Sequence, residues 1–166
     1  LGGLIAGAYG ASTARAAAPT EHGAHEGAGG HPGANRMVGR VDHARNGFDP
    51  SAVLTDFDYG AVSTDADGRT VREWVVTAVD REIEVAPGVF YPAWTYNGQV
   101  PGPTIRCTEG DRLRIRFTNR GSHAHSIHFH GIHPSNMDGA FEPVHPGRSY
   151  VYEFDAEPFG LHLYHC

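Results

Sequence analysis

Lysine is absent from this sequence: all 13 basic residues are arginine, set against 19 acidic residues for a formal charge of −6. The arginines are dispersed, so there is no basic stripe to track a phosphate backbone, and nucleic acid is not expected as a partner. Long apolar runs are missing too. The stretch within LGGLIAGAYG falls far short of the roughly 20 residues a membrane-spanning helix needs, and no membrane partner is expected. No segment beyond about ten residues carries the periodicity of an amphipathic helix. Cysteine is scarce: Cys107 and Cys166 permit at most one disulfide. Cys107 shares a face with Ile105 in a strand-like stretch and reads as a buried free thiol. Cys166 stands beside His165, a neighbour that suggests a different task.

Glycine, proline and histidine are what the chain has in quantity, at 22, 11 and 12 residues. Residues 1–16 read as the remnant of an export signal. A short apolar run leads into small residues, and Ala14-Arg15-Ala16 fits an A-x-A cleavage pattern. The protein is therefore expected outside the cytoplasm, in a periplasm or beyond the cell. Residues 17–48, rich in Gly, Ala and His, lack apolar periodicity and are expected to be flexible, with His22, His25, His31 and His43 solvated. Residues 49–166 are expected to form one all-β domain, a Greek-key sandwich or barrel. The stretch from Asp49 to Asp58 is ambiguous, a short helix or turn opened by Asp49-Pro50-Ser51. The chain stops at Cys166, directly after the strand-like GLHLYHC, so it reads as a fragment cut within that domain.

Strand patterns fill the rest. RTVREWVVTAVDREIEVAPGVFYPAWTYNG reads as a long strand, a Pro-Gly turn and a return strand. In DRLRIRFTN, Leu113, Ile115 and Phe117 fall on one face and Arg112, Arg114 and Arg116 on the other. SYVYEFDA groups Tyr150, Tyr152 and Phe154 in the same way. Trp74 and Trp94 read as core and sheet-packing residues.

HAHSIHFHGIH, residues 123–133, holds five histidines. Side chains alternate along a strand, so equal parity means a shared face. His125, Ile127 and Phe129 then point together, and the apolar pair marks their side as the core. Ser126, His128 and His130 point the other way. His165 and Cys166, as neighbours, must also divide between faces. If Cys166 turns inward to His125, then His165 turns outward to His128 and His130. An inward thiolate–imidazole pair suits copper, and clustered imidazoles suit copper or zinc. The Cys166–His165 dipeptide would link the two sites by a short bonded path for an electron. His123, His133, His145 and His162 read as supporting residues, His162 on the core side or in a neighbouring pocket.

Several ordered motifs, YNGQVPGPTIRCTEGDRLRIRFTN, HSIHFHG, SNMDG and GLHLYHC, resemble the first cupredoxin domain of a multicopper oxidase over roughly residues 70–166. HFHG resembles the family's H-W-H-G element, which implies a type 2 copper ligand at His128 and a type 3 ligand at His130. Three-domain laccases usually carry Ser where this chain has Cys166. The cysteine is similar to that of two-domain laccase-like oxidases with type 1 copper in the first domain. That resemblance implies type 1 ligands at His125 and Cys166 and a type 3 ligand at His165. A following His, the second type 1 His and any axial Met would come after Cys166. Met137 precedes the cysteine, where the family places no axial ligand. Asn136-Met137-Asp138-Gly139 resembles a segment whose Asp helps deliver protons to reduced oxygen, a role implied for Asp138; the competing reading is a plain Asp-Gly turn.

The resemblance implies one-electron oxidation of a small reducing substrate, phenolic, aromatic or a metal ion, coupled to reduction of O2 to water. It also implies a homotrimer in which a neighbouring subunit's second cupredoxin domain completes the copper cluster. Copper nitrite reductases share the layout, but their catalytic carboxylate occupies the position of His128. A cupredoxin-like electron carrier is the other alternative.

Overall fold

A computed structural model of the protein describes residues 39–166. The expected export-signal remnant, and His22, His25 and His31, lie outside the described residues.

The stretch expected to be flexible is tied down at its end. Helix α1, His43–Asn46, is opened by Asp42, whose side chain accepts from the Arg45 N–H, and closed by Gly47 at φ 74°. Asn46 is buried and clamps the backbone of Glu84, donating to its carbonyl at 3.0 Å and accepting from its N–H at 2.9 Å. Residues 43–46 of that stretch thus form a helix, and His43 belongs to α1 rather than to a solvated linker. Apolar periodicity cannot register an anchor made by one buried amide. The ambiguous stretch that follows is a 3-10 turn, Pro50–Leu54, capped by Asp49.

The expected hairpin forms as β3, Thr70–Ala86, and β4, Val89–Tyr96, with the turn at Pro87 and Gly88. Short strands β1, Phe57–Asp58, and β2, Ala61–Thr64, precede it. β5, Thr104–Ile105, β6, Arg112–Asn119, and β8, Ser149–Asp155, follow, with β7, His128–Phe129, and β9, Tyr164–His165, forming a separate ribbon. The long β3 organises the main sheet. One edge pairs with β6 in parallel, while the other pairs antiparallel with β2 and then with β4. β6 pairs antiparallel with β8, setting Leu113, Ile115 and Phe117 opposite Phe154, Tyr152 and Tyr150.

The core lies on the apolar face of this sheet. Trp74, Val76, Leu113, Ile115, Phe117 and Tyr152 pack there with Ile127 and Phe129. Phe129 meets Tyr152 and Phe154 edge to face, with centroids 5.4 and 5.0 Å apart. The opposite face carries the arginines. Arg112 binds Asp155 and Glu153, Arg114 binds Glu153, and Arg116 binds Glu73. Two readings need correction. Cys107 is exposed, because β5 ends at Ile105 and strand alternation does not reach it. Trp94 is 60% exposed, because it lies on the solvent side of β4, where parity places it opposite the buried Ala93 and Thr95.

Candidate metal centres

The loop that delivers His125 is held by one buried side chain. Asn119, at the end of β6, donates to the carbonyls of His123 and Val144, each at 2.7 Å, and accepts from the Gly121 N–H at 2.9 Å. His125 and Val144 then exchange backbone hydrogen bonds of 3.1 and 2.8 Å. The alternation read from the sequence holds through this stretch although β7 itself is only two residues long. His125, Ile127 and Phe129 are buried, His128 is half-buried, and His130 is exposed.

On the inner side, the Cys166 Sγ lies 3.5 Å from His125 Nδ1. His125 is 3% exposed, and burial holds its pKa below the ordinary histidine value. Burial thus disfavours a proton charge on this imidazole. Metal–donor bonds of about 2.0–2.3 Å at tetrahedral angles put two donors on one ion about 3.5 Å apart, so the pair has the spacing of co-ligands. Among the described residues, His125 Nε2 is buried with no hydrogen-bond partner. The Trp94 ring lies beside this imidazole, with centroids 5.2 Å apart, and 4.9 Å from that of His123. Met137 is turned elsewhere: its sulfur accepts from the Glu153 N–H at 3.2 Å.

On the outer side, antiparallel pairing of β7 with β9 sets His128 directly opposite His165. His130 follows β7 and is fastened to the other segment by its N–H, which donates to Leu163 O at 2.8 Å. One ligand atom from each of His128, His130 and His165 lies within 4.8 Å of the others. The Nε2 atoms of His130 and His165 are 3.0 Å apart. Three imidazoles converging in this way suit a first-row transition metal of borderline softness, copper included.

Asp138 orients this cluster. It follows the 3-10 turn Ser135–Met137, and its Oδ1 lies 2.7 Å from His128 Nδ1 and 3.0 Å from the Ala140 N–H. Burial pushes the carboxyl pKa up, but the His128 and Ala140 hydrogen bonds outweigh it and hold the group below its ordinary value. A carboxylate accepting from Nδ1–H leaves the His128 Nε2 lone pair free for a metal. The Asp-Gly turn is present as well, so both readings of this segment describe the same residues.

The structure thus brings His128, His130, His165 and Asp138 together, and separately His125 with Cys166. His145 and His162 are exposed; His162, with its ring nitrogen 2.8 Å from Pro158 O, lines a pocket shared with His130 and His133. Sequence reasoning read His133 and His123 as supporting residues but named no partner for either: His133 Nε2 lies 3.4 Å from Asp138 Oδ2, and His123 and Trp94 lie beside His125. Parity along one strand carries no signal for contacts made through a loop or from another strand.

A β-domain with a buried histidine beside an exposed cysteine on one side of a short ribbon, and three convergent imidazoles on the other, is a cupredoxin-like metalloprotein. The multicopper oxidase family model matches residues 78–166, over half of the chain, and the chain belongs to that family of copper oxidoreductases. It is 38% identical over 104 residues to a copper resistance protein A homolog of Pseudomonas syringae pv. tomato, covering 60% of this chain and 18% of that protein. It is 36% identical over 90 residues to the copper-containing nitrite reductase of Neisseria meningitidis serogroup A, covering 53% of this chain and 23% of the enzyme. A crystal structure of a multicopper oxidase superposes with a TM-score of 0.73 at 55% identity, over 76% of this chain and 46% of that one. The chain spans less than half the length of each. The all-β, cupredoxin-like architecture expected from the sequence is the one found.

Proposed function

We propose that residues 49–166 form the first cupredoxin domain of a laccase-like multicopper oxidase, with residues 1–16 the remnant of an export signal. His125 and Cys166 hold a type 1 copper. His128 contributes to a type 2 copper, and His130 and His165 to the type 3 pair. Copper at these sites supplies one-electron oxidation of a small reducing substrate, phenolic, aromatic or a metal ion, and reduction of O2 to water. The protein's own part is positional. Burial keeps water away from the His125 ring and disfavours its charged form. Cys166 and His165, bonded neighbours, give the two sites a short covalent connection. Asp138 holds the Nδ1 proton of His128 and stands ready to pass protons beside the cluster. Export to a periplasm or the extracellular space, and a trimer in which a second cupredoxin domain completes the cluster, belong to the same reading.

The observation that carries the reading is His128 in the outward cluster. An imidazole there adds a metal ligand where a nitrite reductase places its catalytic carboxylate. Similarity to nitrite reductases keeps that activity as the second reading. The two separate in one experiment on the full-length, copper-loaded protein. Oxygen uptake with a phenolic reductant is expected; nitrite consumption without oxygen uptake would establish the alternative.

A further inference from the structure

We propose that His133 is a positioning residue for the imidazole cluster: it holds Asp138, and through Asp138 it fixes the tautomer and tilt of His128. The inference deepens the copper reading of His128 and rests on it. The two carboxylate oxygens of Asp138 face different histidines. Oδ1 takes His128 Nδ1 at 2.7 Å and the Ala140 N–H at 3.0 Å, while Oδ2 faces His133 Nε2 at 3.4 Å. At that length the second contact is electrostatic rather than a well-formed hydrogen bond. The side chain of His133 is 7% exposed, so it is a built feature of the interior, not a surface group that happens to lie close.

Its ring is fixed by the core. Phe129 meets it edge to face at 6.2 Å and Phe154 lies against it at 5.2 Å. The loop is fastened on the other side of Asp138, where the Gly139 N–H donates to Ile127 O at 2.9 Å. A Cβ at Gly139 would stand 2.5 Å from that oxygen, so the approach requires glycine. Core packing is thereby passed from Phe129 and Phe154 to His133, from His133 to Asp138, and from Asp138 to His128. Without His133, Asp138 Oδ2 loses the imidazole nitrogen that faces it. Asp138 can then rotate, and His128 is no longer confined to the tautomer with a free Nε2 lone pair.

The test uses the full-length protein. His133→Leu removes the donor, His133→Gln keeps an N–H at the same reach, and His133→Phe keeps a ring between the phenylalanines should the leucine variant not fold. In histidine-labelled, copper-free protein, the His128 Nδ1–H resonance should be sharp in the parent and in H133Q, and broadened by exchange in H133L or H133F. In copper-loaded protein, H133L should alter the type 2 copper electron paramagnetic resonance signal and lower turnover on the order of tenfold. The type 1 absorption should stay unchanged, and H133Q should restore the rest. In an Asp138→Asn background H133L should add nothing further. An unchanged His128 resonance and type 2 signal in H133L, or an undiminished effect in the Asp138→Asn background, would overturn the proposal. A parent protein with no type 2 signal would instead overturn the copper reading of His128, while the copper-free spectra still decide the role of His133.

Discussion

Asn119 shows how much of the inner site depends on one side chain. It is fully buried, and its amide satisfies two carbonyls and one N–H of the loop leading to His125. Truncation leaves those backbone groups without partners in the interior, at about 1–3 kcal/mol for each group stranded. Asn119→Ala is therefore expected to lower unfolding free energy by at least about 2 kcal/mol in a denaturant titration. It should also weaken the type 1 absorption of the copper-loaded protein, because His125 loses its fixed approach to Cys166. A stable variant with full absorption would mean that the loop is held mainly by its exchange of hydrogen bonds with Val144. At this scale the sequence named candidate donors that the fold brings together. It did so because ligand chemistry belongs to residue type and because strand parity is local. Asn119, and the carboxylate that His133 faces, escaped it because those partners are chosen by loop paths.

Among the elements, the β6–β8 pair carries the clearest electrostatic consequence. Glu153 is held below the ordinary glutamate pKa by hydrogen bonds from Arg114, opposed by desolvation, with a further hydrogen bond from Arg112. Glu73 is lowered in the same sense, first by its hydrogen bond from Arg116. For carboxyls with depressed folded values, the stabilisation is present above the unfolded value, 4.5 for glutamate, and is lost as pH falls through the lower folded value. The groups are substantially solvated, so each pair is worth about 0.2–1 kcal/mol and less at high salt. Glu153→Gln should lower the melting temperature by a few degrees at pH 7 and shrink the acid-induced loss of stability below pH 4.5. Equal acid sensitivity in parent and variant would assign that loss to other carboxyls. The alternation of Arg112, Arg114 and Arg116 against Leu113, Ile115 and Phe117 made this face readable from the sequence. The partners of the arginines depend on strand order and emerged only from pairing with β8 and β3.

For the molecule as a whole, the chain spans less than half the length of each matched relative, and the outward imidazoles are largely open. Three imidazoles are too few to serve a type 2 and a type 3 site together. On the proposed function, a protein consisting of residues 1–166 is therefore expected to bind copper without taking up oxygen. Metal analysis alongside an oxygen electrode checks this. Oxygen uptake by residues 1–166 alone, with a phenolic reductant, would show that the cluster needs no second domain.

Alternation, residue type and motif spacing determined the all-β class, the two-sided division of HSIHFHG and the candidate donors, since each depends on geometry within a few residues. The meeting of His165 with His128 and of Cys166 with His125 depends instead on strand pairing between segments 35 or more residues apart. Only the tertiary structure settled the second histidine beside Asp138, the open position of Trp94 and the exposure of Cys107. In each, the deciding influence was where a strand ends or a loop returns, which packing against distant residues controls.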